Sequence, residues 1–157
     1  MAAIEGIAIK HVARGPMETV LQAMVFINEG LEGDSRGKGG HDRARQVTLL
    51  SFYQWGEATE YLWATPRTMP WTLRRANICI RGHKFSKNDV GRHIHIGSSV
   101  ILEITGETKP CSRMDAQIDG LRAALAADFR GGVTSRVIQG GRITIDDQVW
   151  WENIVSH

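Results

Sequence analysis

The sequence is poor in cysteine and in long apolar runs. Cys79 and Cys111 are the only cysteines in 157 residues, too few for the disulfide framework of a small secreted domain. A single Cys79–Cys111 bridge stays open as an option, but a reducing cytoplasm is the simpler expectation. No stretch approaches the roughly 18 apolar residues of a membrane-spanning helix, and Met1-Ala2-Ala3-Ile4-Glu5 lacks the basic-then-apolar layout of a signal peptide. Walker A, dinucleotide, Gly-x-Ser-x-Gly, Cys-x-x-Cys and His-Glu-x-x-His motifs are all missing. The usual sequence grounds for a nucleotide, flavin, serine-hydrolase or zinc assignment go with them. The net charge of +2 is too small to imply nucleic acid by itself.

What is present fits one domain over residues 1–157, long enough for a sizeable core. Ala3 to Val12 reads as a first strand, ended by Gly15-Pro16, and Leu21 to Ile27 as a second. The glycine-rich stretch from Asn28 to Arg45 predicts a turn-rich loop. Gln46 to Leu50 is a short strand, and Ser51 with Gln54 fits a capping box for a helix halted by Pro66 and Pro70. His93 to Ile96 and Val100 to Ile104 alternate as a hairpin around Gly97-Ser98-Ser99. A helix capped by Asp119 carries Ile118, Leu121, Leu125 and Phe129 on one face and ends at Gly131-Gly132. Ile143, Ile145 and Val149 close the chain as a strand pair or bent strand. Short strands, few helices and no β-α-β rhythm predict a mainly β, barrel-like domain with small helices.

The chemistry concentrates around Cys111. It follows an apolar strand, stands behind Pro110, and has Lys109 and Arg113 on either side. A packing cysteine sits more naturally inside an apolar run, as Cys79 does in Asn77-Ile78-Cys79-Ile80. A thiol in a basic turn suits metal ligation or sulfur transfer. His93 and His95 share a strand face but lack a third ligand at useful spacing, so a polar outer face explains them. The aromatic residues Phe52, Tyr53, Trp55, Tyr61 and Trp63 read as packing surface. Basic residues gather at Arg74, Arg75, Arg81, Lys84, Lys87 and Arg92 and return at Lys109, Arg113, Arg130, Arg136 and Arg142. If part of this set converges, it forms an anion site.

In order along the chain come Gly30-Leu31-Glu32-Gly33-Asp34, Arg45-Gln46-Val47-Thr48-Leu49-Leu50, Leu73-Arg74-Arg75-Ala76-Asn77-Ile78 with Gly82, Leu102-Glu103-Ile104-Thr105, Lys109-Pro110-Cys111 and Arg136-Val137-Ile138 with Gly140-Gly141. This ordered set resembles the MOSC domain, named for the C-terminal domain of molybdenum-cofactor sulfurases. The resemblance implies a strand-rich barrel and gives Cys111 a role as molybdenum ligand or sulfur carrier. It places Arg45, Arg74, Arg75, Lys109, Arg113 and Arg136 as candidates for the phosphate of a molybdenum-pterin cofactor. Three departures stand out: Ser35-Arg36 where relatives often have histidine, Arg75-Ala76 in place of an acid before Asn77, and Asp146-Asp147 for a terminal Gly-Asp.

Three readings follow. In one, a cofactor-bound domain reduces N-hydroxylated compounds with electrons from a partner protein. In another, a persulfide carrier receives sulfur from a donor protein and holds no stable cofactor. In the last, a noncatalytic module binds anions, and Arg36, Arg43 and Arg45 meet nucleic-acid phosphates. Trp150-Trp151 fits a homodimer contact or internal packing.

Overall fold

The computed structural model describes residues 1–36, 43–62 and 69–152, apart from the side chain of Tyr61. Eleven strands and three α-helices occur among them. β1 (Ala2–Ile9) opens the chain, followed by β2 (Glu18–Val20), β3 (Gln22–Phe26) and β4 (Gly30–Leu31). β5 (Val47–Ser51) leads into α1 (Phe52–Tyr61), and a short 3-10 turn at Trp71–Arg74 precedes β6 (Ile78–Arg81). β7 (His93–Ile96) and β8 (Val100–Glu107) form the hairpin expected around Gly97. Two short helices follow, α2 (Ser112–Gln117) and α3 (Leu121–Ala126), then β9 (Val133–Gln139), β10 (Gly141–Thr144) and β11 (Gln148–Trp151).

The main sheet runs β11-β7-β8-β9-β5-β6-β1, and β11 pairs back onto β1, so seven strands close a barrel. β2 extends β1 beyond the seam, and β10, β3 and β4 form a small second sheet. Closure removes the exposed edges that an open sheet of this length would present. β5 and β6 are parallel, which requires a crossover, and α1 lies in that connection. The barrel interior is filled by alternating branched residues, among them Ile4, Ile7, Val47, Leu49, Ile78, Ile80, Ile94, Ile96, Leu102, Ile104, Val133 and Val137. Their β-branched stems suit a pleated, buried surface.

A second apolar cluster seats the helices on the barrel. Leu50, Trp55, Ala58, Met69, Ala76, Met114, Leu121, Ala124 and Leu125 are its buried members, and the Trp55 indole nitrogen donates to the Met69 carbonyl at 2.7 Å. Packing of the aromatic Trp55 follows the sequence reading; Trp63 lies outside the described residues.

Cys79 and Cys111 are both free, one buried in β6 and the other exposed, as the simpler sequence reading expected. Several other expectations need correction. The helix expected over Ile118 to Phe129 shortens to α3, and α2 precedes it as a second short helix that the sequence reading did not expect. Gly120 separates them in a left-handed conformation (φ 87°), and Asp119 makes no cap. This conformation costs glycine little and would interrupt any helix built through it. Ser51 does accept from the Gln54 backbone at 3.2 Å, but Gln54 spends its side chain elsewhere. It bonds the Phe85 backbone nitrogen and the Phe85 and Asp128 carbonyls, so half the expected box is replaced by a tether across the fold. Leu21 to Ile27 shortens to β3, and the expected loop before Arg45 contains β4 and a 3-10 turn at Arg43–Arg45. His41, Gly37, Gly39, Gly40 and Pro66 lie outside the described residues.

A cationic cleft around Cys111

At one mouth of the barrel, β5 and the ends of β1 and β8 meet the turn carrying Arg74 and the loop into α2. The cleft between them has a volume of about 320 Å³. Lys10, Arg36, Arg45, Arg74, Arg75, Lys109 and Arg113 line it together with Cys111, Thr48, Thr108 and Met114. No carboxylate is among these lining residues. Two roomier hollows lie elsewhere. The one beside Glu57, Lys84 and Lys87 mixes charges, and the one beside Phe26 and Ile27 is mainly apolar.

Cys111 stands immediately before α2. Its carbonyl accepts the first helical bond from the Met114 nitrogen at 2.9 Å, while its side chain makes no capping bond. The thiol is therefore presented at the surface of the cleft rather than used to finish the helix. Cys79 is the opposite case: burial, helped by Glu5, pushes its thiol well above the ordinary range.

Arg74 forms the floor. It is 7% exposed, with Nε donating to the Gly131 carbonyl and Nη2 to the Thr108 carbonyl, both at 2.9 Å. Nη1 meets only the Met114 sulfur at 3.9 Å, a weak acceptor. Burial drives the Arg74 guanidinium from its usual 12.5 down to about 10; Cys111 opposes the fall and Arg36 and Arg45 add to it. The charge is thus favoured by Cys111 and opposed by its cationic neighbours. Gly131 allows this packing: a Cβ there would stand 2.5 Å from the Thr108 oxygen that Arg74 uses.

Arg36 and Lys10 enter through a shared brace. The buried Asp34 carboxylate accepts from the backbone nitrogens of Lys10 at 2.9 Å and Arg36 at 3.1 Å, which sets where both side chains leave the chain. Arg36 then donates to Thr48 Oγ1 at 2.7 Å, Asn77 Oδ1 at 2.9 Å and the Arg75 carbonyl at 3.2 Å. Asn77, fully buried, also takes the Thr48 backbone N–H and donates to Ala8. It ties β1, β5 and Arg36 into one network. Burial lowers the Arg36 pKa, with Asp34 opposing and Arg45 and Arg75 assisting. Lys10 is lowered by burial first and then by Arg36 and Arg75.

Arg75 adopts a left-handed backbone at φ 67°, uncommon for a residue with a Cβ. Its Nη2 donates to the Gly15 carbonyl, while its Nε and the Thr108 hydroxyl are shielded and have no protein partner. Arg45, Lys109 and Arg113 form the exposed rim.

Of the basic residues singled out from the sequence, Arg45, Arg74, Arg75, Lys109 and Arg113 meet in this cleft with Cys111. Arg136 does not line it. It lies on β9 and pairs with Glu103 at 2.9 Å. Arg81, Lys84 and Arg92 are taken up by Glu5 and Asp146, by Glu57, and by Asp89 respectively. His93 and His95 project from β7 toward Glu103 and Glu152. No group of three or more metal-ligating side chains occurs among the described residues. Lys10 was missed by sequence reasoning, because a lone lysine ending a strand carries no signal. Arg36 was noticed only as a nucleic-acid contact; its place two residues beyond Asp34 was the available clue.

A family model described as the MOSC domain matches residues 34–150. The chain belongs to the MOSC domain family. The match runs from the Asp34 brace through Arg74, Cys111 and β9 into β11, so it spans most of the cleft and reaches every barrel strand except β1. Among solved structures, the YuaD protein from Bacillus subtilis has a TM-score of 0.75 at 18% identity, covering 95% of this chain and 94% of that one. YiiM from Escherichia coli has a TM-score of 0.72 at 14% identity, covering 99% and 72%. YiiM from Geobacillus stearothermophilus has 0.71 at 14% identity, covering 98% and 76%. At such identities the likeness establishes the barrel and nothing finer. No curated protein matches the chain. No described helix of this MOSC domain is long and apolar enough to cross a membrane.

Proposed function

We propose that the cleft binds a molybdenum-pterin cofactor, with the Cys111 thiolate as a ligand to the metal and the surrounding cations on the cofactor's phosphate. One observation carries this reading: the exposed cysteine opens onto a cleft whose described lining residues include seven cationic side chains and no carboxylate. Thiolate suits molybdenum, and guanidinium forks suit phosphate oxygens. One protein thiolate without further His, Asp or Glu ligands does not make a metal site by itself. It does fit a metal that arrives with its own organic ligands. Arg75 Nε and the Thr108 hydroxyl, which have no protein partner, and Arg74 Nη1, held only by the Met114 sulfur, are the kind of groups an anionic ligand satisfies.

When bound, the cofactor would supply two-electron redox chemistry at the metal. The chain's part is to bind and orient: Arg74 and Arg36 from the floor, Arg75 and Lys10 from the sides, Lys109, Arg113 and Arg45 from the rim. Reduction of N-hydroxylated compounds is the reaction we assign, with electrons from a separate donor protein, since the sequence has no flavin or nicotinamide motif. The concave arrangement favours a small anionic ligand over nucleic acid, which is tracked along a groove or stripe.

The exposure of Cys111 favours a second reading, a persulfide carrier that does not retain the cofactor. The deciding experiment measures molybdenum and pterin in protein made in a cofactor-producing host and purified without oxygen, beside Cys111→Ala. Near-stoichiometric cofactor that falls away in the variant is the expected result. Wild-type protein free of both metal and pterin would overturn stable binding.

A further inference from the structure

The cleft joins an exposed thiol to more cations than one phosphate requires. A thiolate approaching a dianion in water is repelled. Surrounded by guanidinium and ammonium groups, with no carboxylate among the described lining residues, the same approach becomes favourable. We propose that Cys111 takes sulfur directly from a small anionic sulfane donor, thiosulfate, bound by these cations. The inference rests on the persulfide-carrier reading of Cys111, names its sulfur donor, and does not depend on cofactor retention.

The step balances without an outside oxidant. The Cys111 thiolate attacks the outer sulfur of thiosulfate; a new S–S bond forms and the S–S bond of thiosulfate breaks. The electron pair of the broken bond leaves with sulfite. Cys111 becomes a persulfide anion carrying one negative charge, and sulfite carries the other two. The persulfide then passes its outer sulfur to an acceptor such as cyanide or another thiolate, restoring Cys111.

Two observations beyond the cysteine support a ligand of this kind. Arg74 is a nine-tenths-buried cation lining the cleft, and its Nη1 has only a sulfur neighbour at 3.9 Å. The Thr108 hydroxyl beside it is shielded and unpaired within the protein. A sulfonate-like group, with three acceptor oxygens, answers both. Lys109 and Arg113 flank the thiol on the exposed rim, where they meet the leaving sulfite.

The test uses the full chain from a host that makes no molybdenum-pterin. Protein is treated with thiosulfate, then with cyanide, and three things are read: the mass gain of one sulfur on the Cys111 peptide, sulfite released, and thiocyanate formed. We expect all three in the wild type and none in Cys111→Ala. Lys109→Ala/Arg113→Ala alters only exposed residues, so the fold is not at stake. We expect it to slow transfer from thiosulfate by about tenfold, and transfer from an uncharged trisulfide by much less. Two results would overturn the proposal. One is no sulfur on Cys111 in folded protein whose thiol still reacts with a neutral disulfide. The other is equal thiosulfate rates in the wild type and the rim variant. Cofactor content, measured separately, fails or succeeds on its own terms.

Discussion

At the scale of single residues, the two cysteines show how one side chain acquires two chemistries. Cys79 lies in β6 within the apolar interior, and burial holds its proton in place. Cys111 stands open beside Arg74, Lys109 and Arg113. Reactivity follows thiolate content and access. Native protein at pH 8 should therefore take one equivalent of a thiol reagent quickly and a second only after unfolding. Counting labelled thiols with and without denaturant checks this; rapid labelling of two would show that β6 opens easily. The contrast was legible in the sequence, since Cys79 interrupts an alternating run and Cys111 follows a proline. That Arg74 is the buried cation and Arg113 the exposed one was not, because neighbouring arginines look alike until the chain folds. Arg136 shows the limit most clearly. It has the same composition and strand setting as a site residue, yet Glu103 on the adjacent strand takes its charge.

At the scale of elements, the junction before β9 fixes the cleft. Gly132 has φ 94°, and a Cβ there would overlap the Leu49 carbonyl oxygen. Gly132→Ala combines the left-handed penalty of about 1–2 kcal/mol with a backbone collision, so a loss of about 3 kcal/mol is expected. Thermal unfolding should shift down by roughly 6–12 °C in a chain of this size. A variant melting with the wild type would show that the β8–β9 connection adjusts without cost. The glycine pair was read from sequence as a helix terminator. In the structure its larger task is to bring the chain within reach of Leu49 and Arg74, a consequence of β9 pairing with β5 across many intervening residues. The placing of two short helices, α2 and α3, where one was expected also has a tertiary cause. Met114 and Leu121 both belong to the second core cluster, and the left-handed Gly120 lets the chain bend between them.

At the scale of the whole molecule, the barrel closes at a narrow seam, where β1 and β11 share two register pairs. A cluster beside it holds β11 in place. The Trp151 indole nitrogen meets His83 Nδ1 at 3.3 Å, His83 Nε2 meets Asp89 at 3.0 Å, and Arg92 lies over the Trp151 ring and pairs with Asp89. Burial tends to raise the Asp89 pKa, but the bonds from His83 and Ser86 and the charge of Arg92 outweigh it and leave it below the ordinary range. A depressed carboxylate stabilises the fold fully above its unfolded value and loses that contribution as pH falls through the folded value. Asp89→Asn should cost about 1–3 kcal/mol at pH 7. The two proteins should converge in urea unfolding as the medium approaches pH 3 and below. A gap that stays constant from pH 7 to pH 3 would show that the charge of Asp89 is not what matters.

The sequence by itself determined the class of the fold, because period-two alternation with interspersed turns has few solutions other than a mainly β domain. It also marked Cys111, whose local surroundings of proline and flanking cations are visible without folding. Tertiary structure alone decided which cations meet that thiol. Lys10 and Arg36 are drawn in by Asp34, Arg74 by carbonyls at Thr108 and Gly131, and Arg136 is turned away by Glu103. Apart from the local bond between Arg36 and Asp34, these are contacts between residues far apart in the chain. Charge in a sequence has a position but no direction, and the direction is set only when the barrel closes.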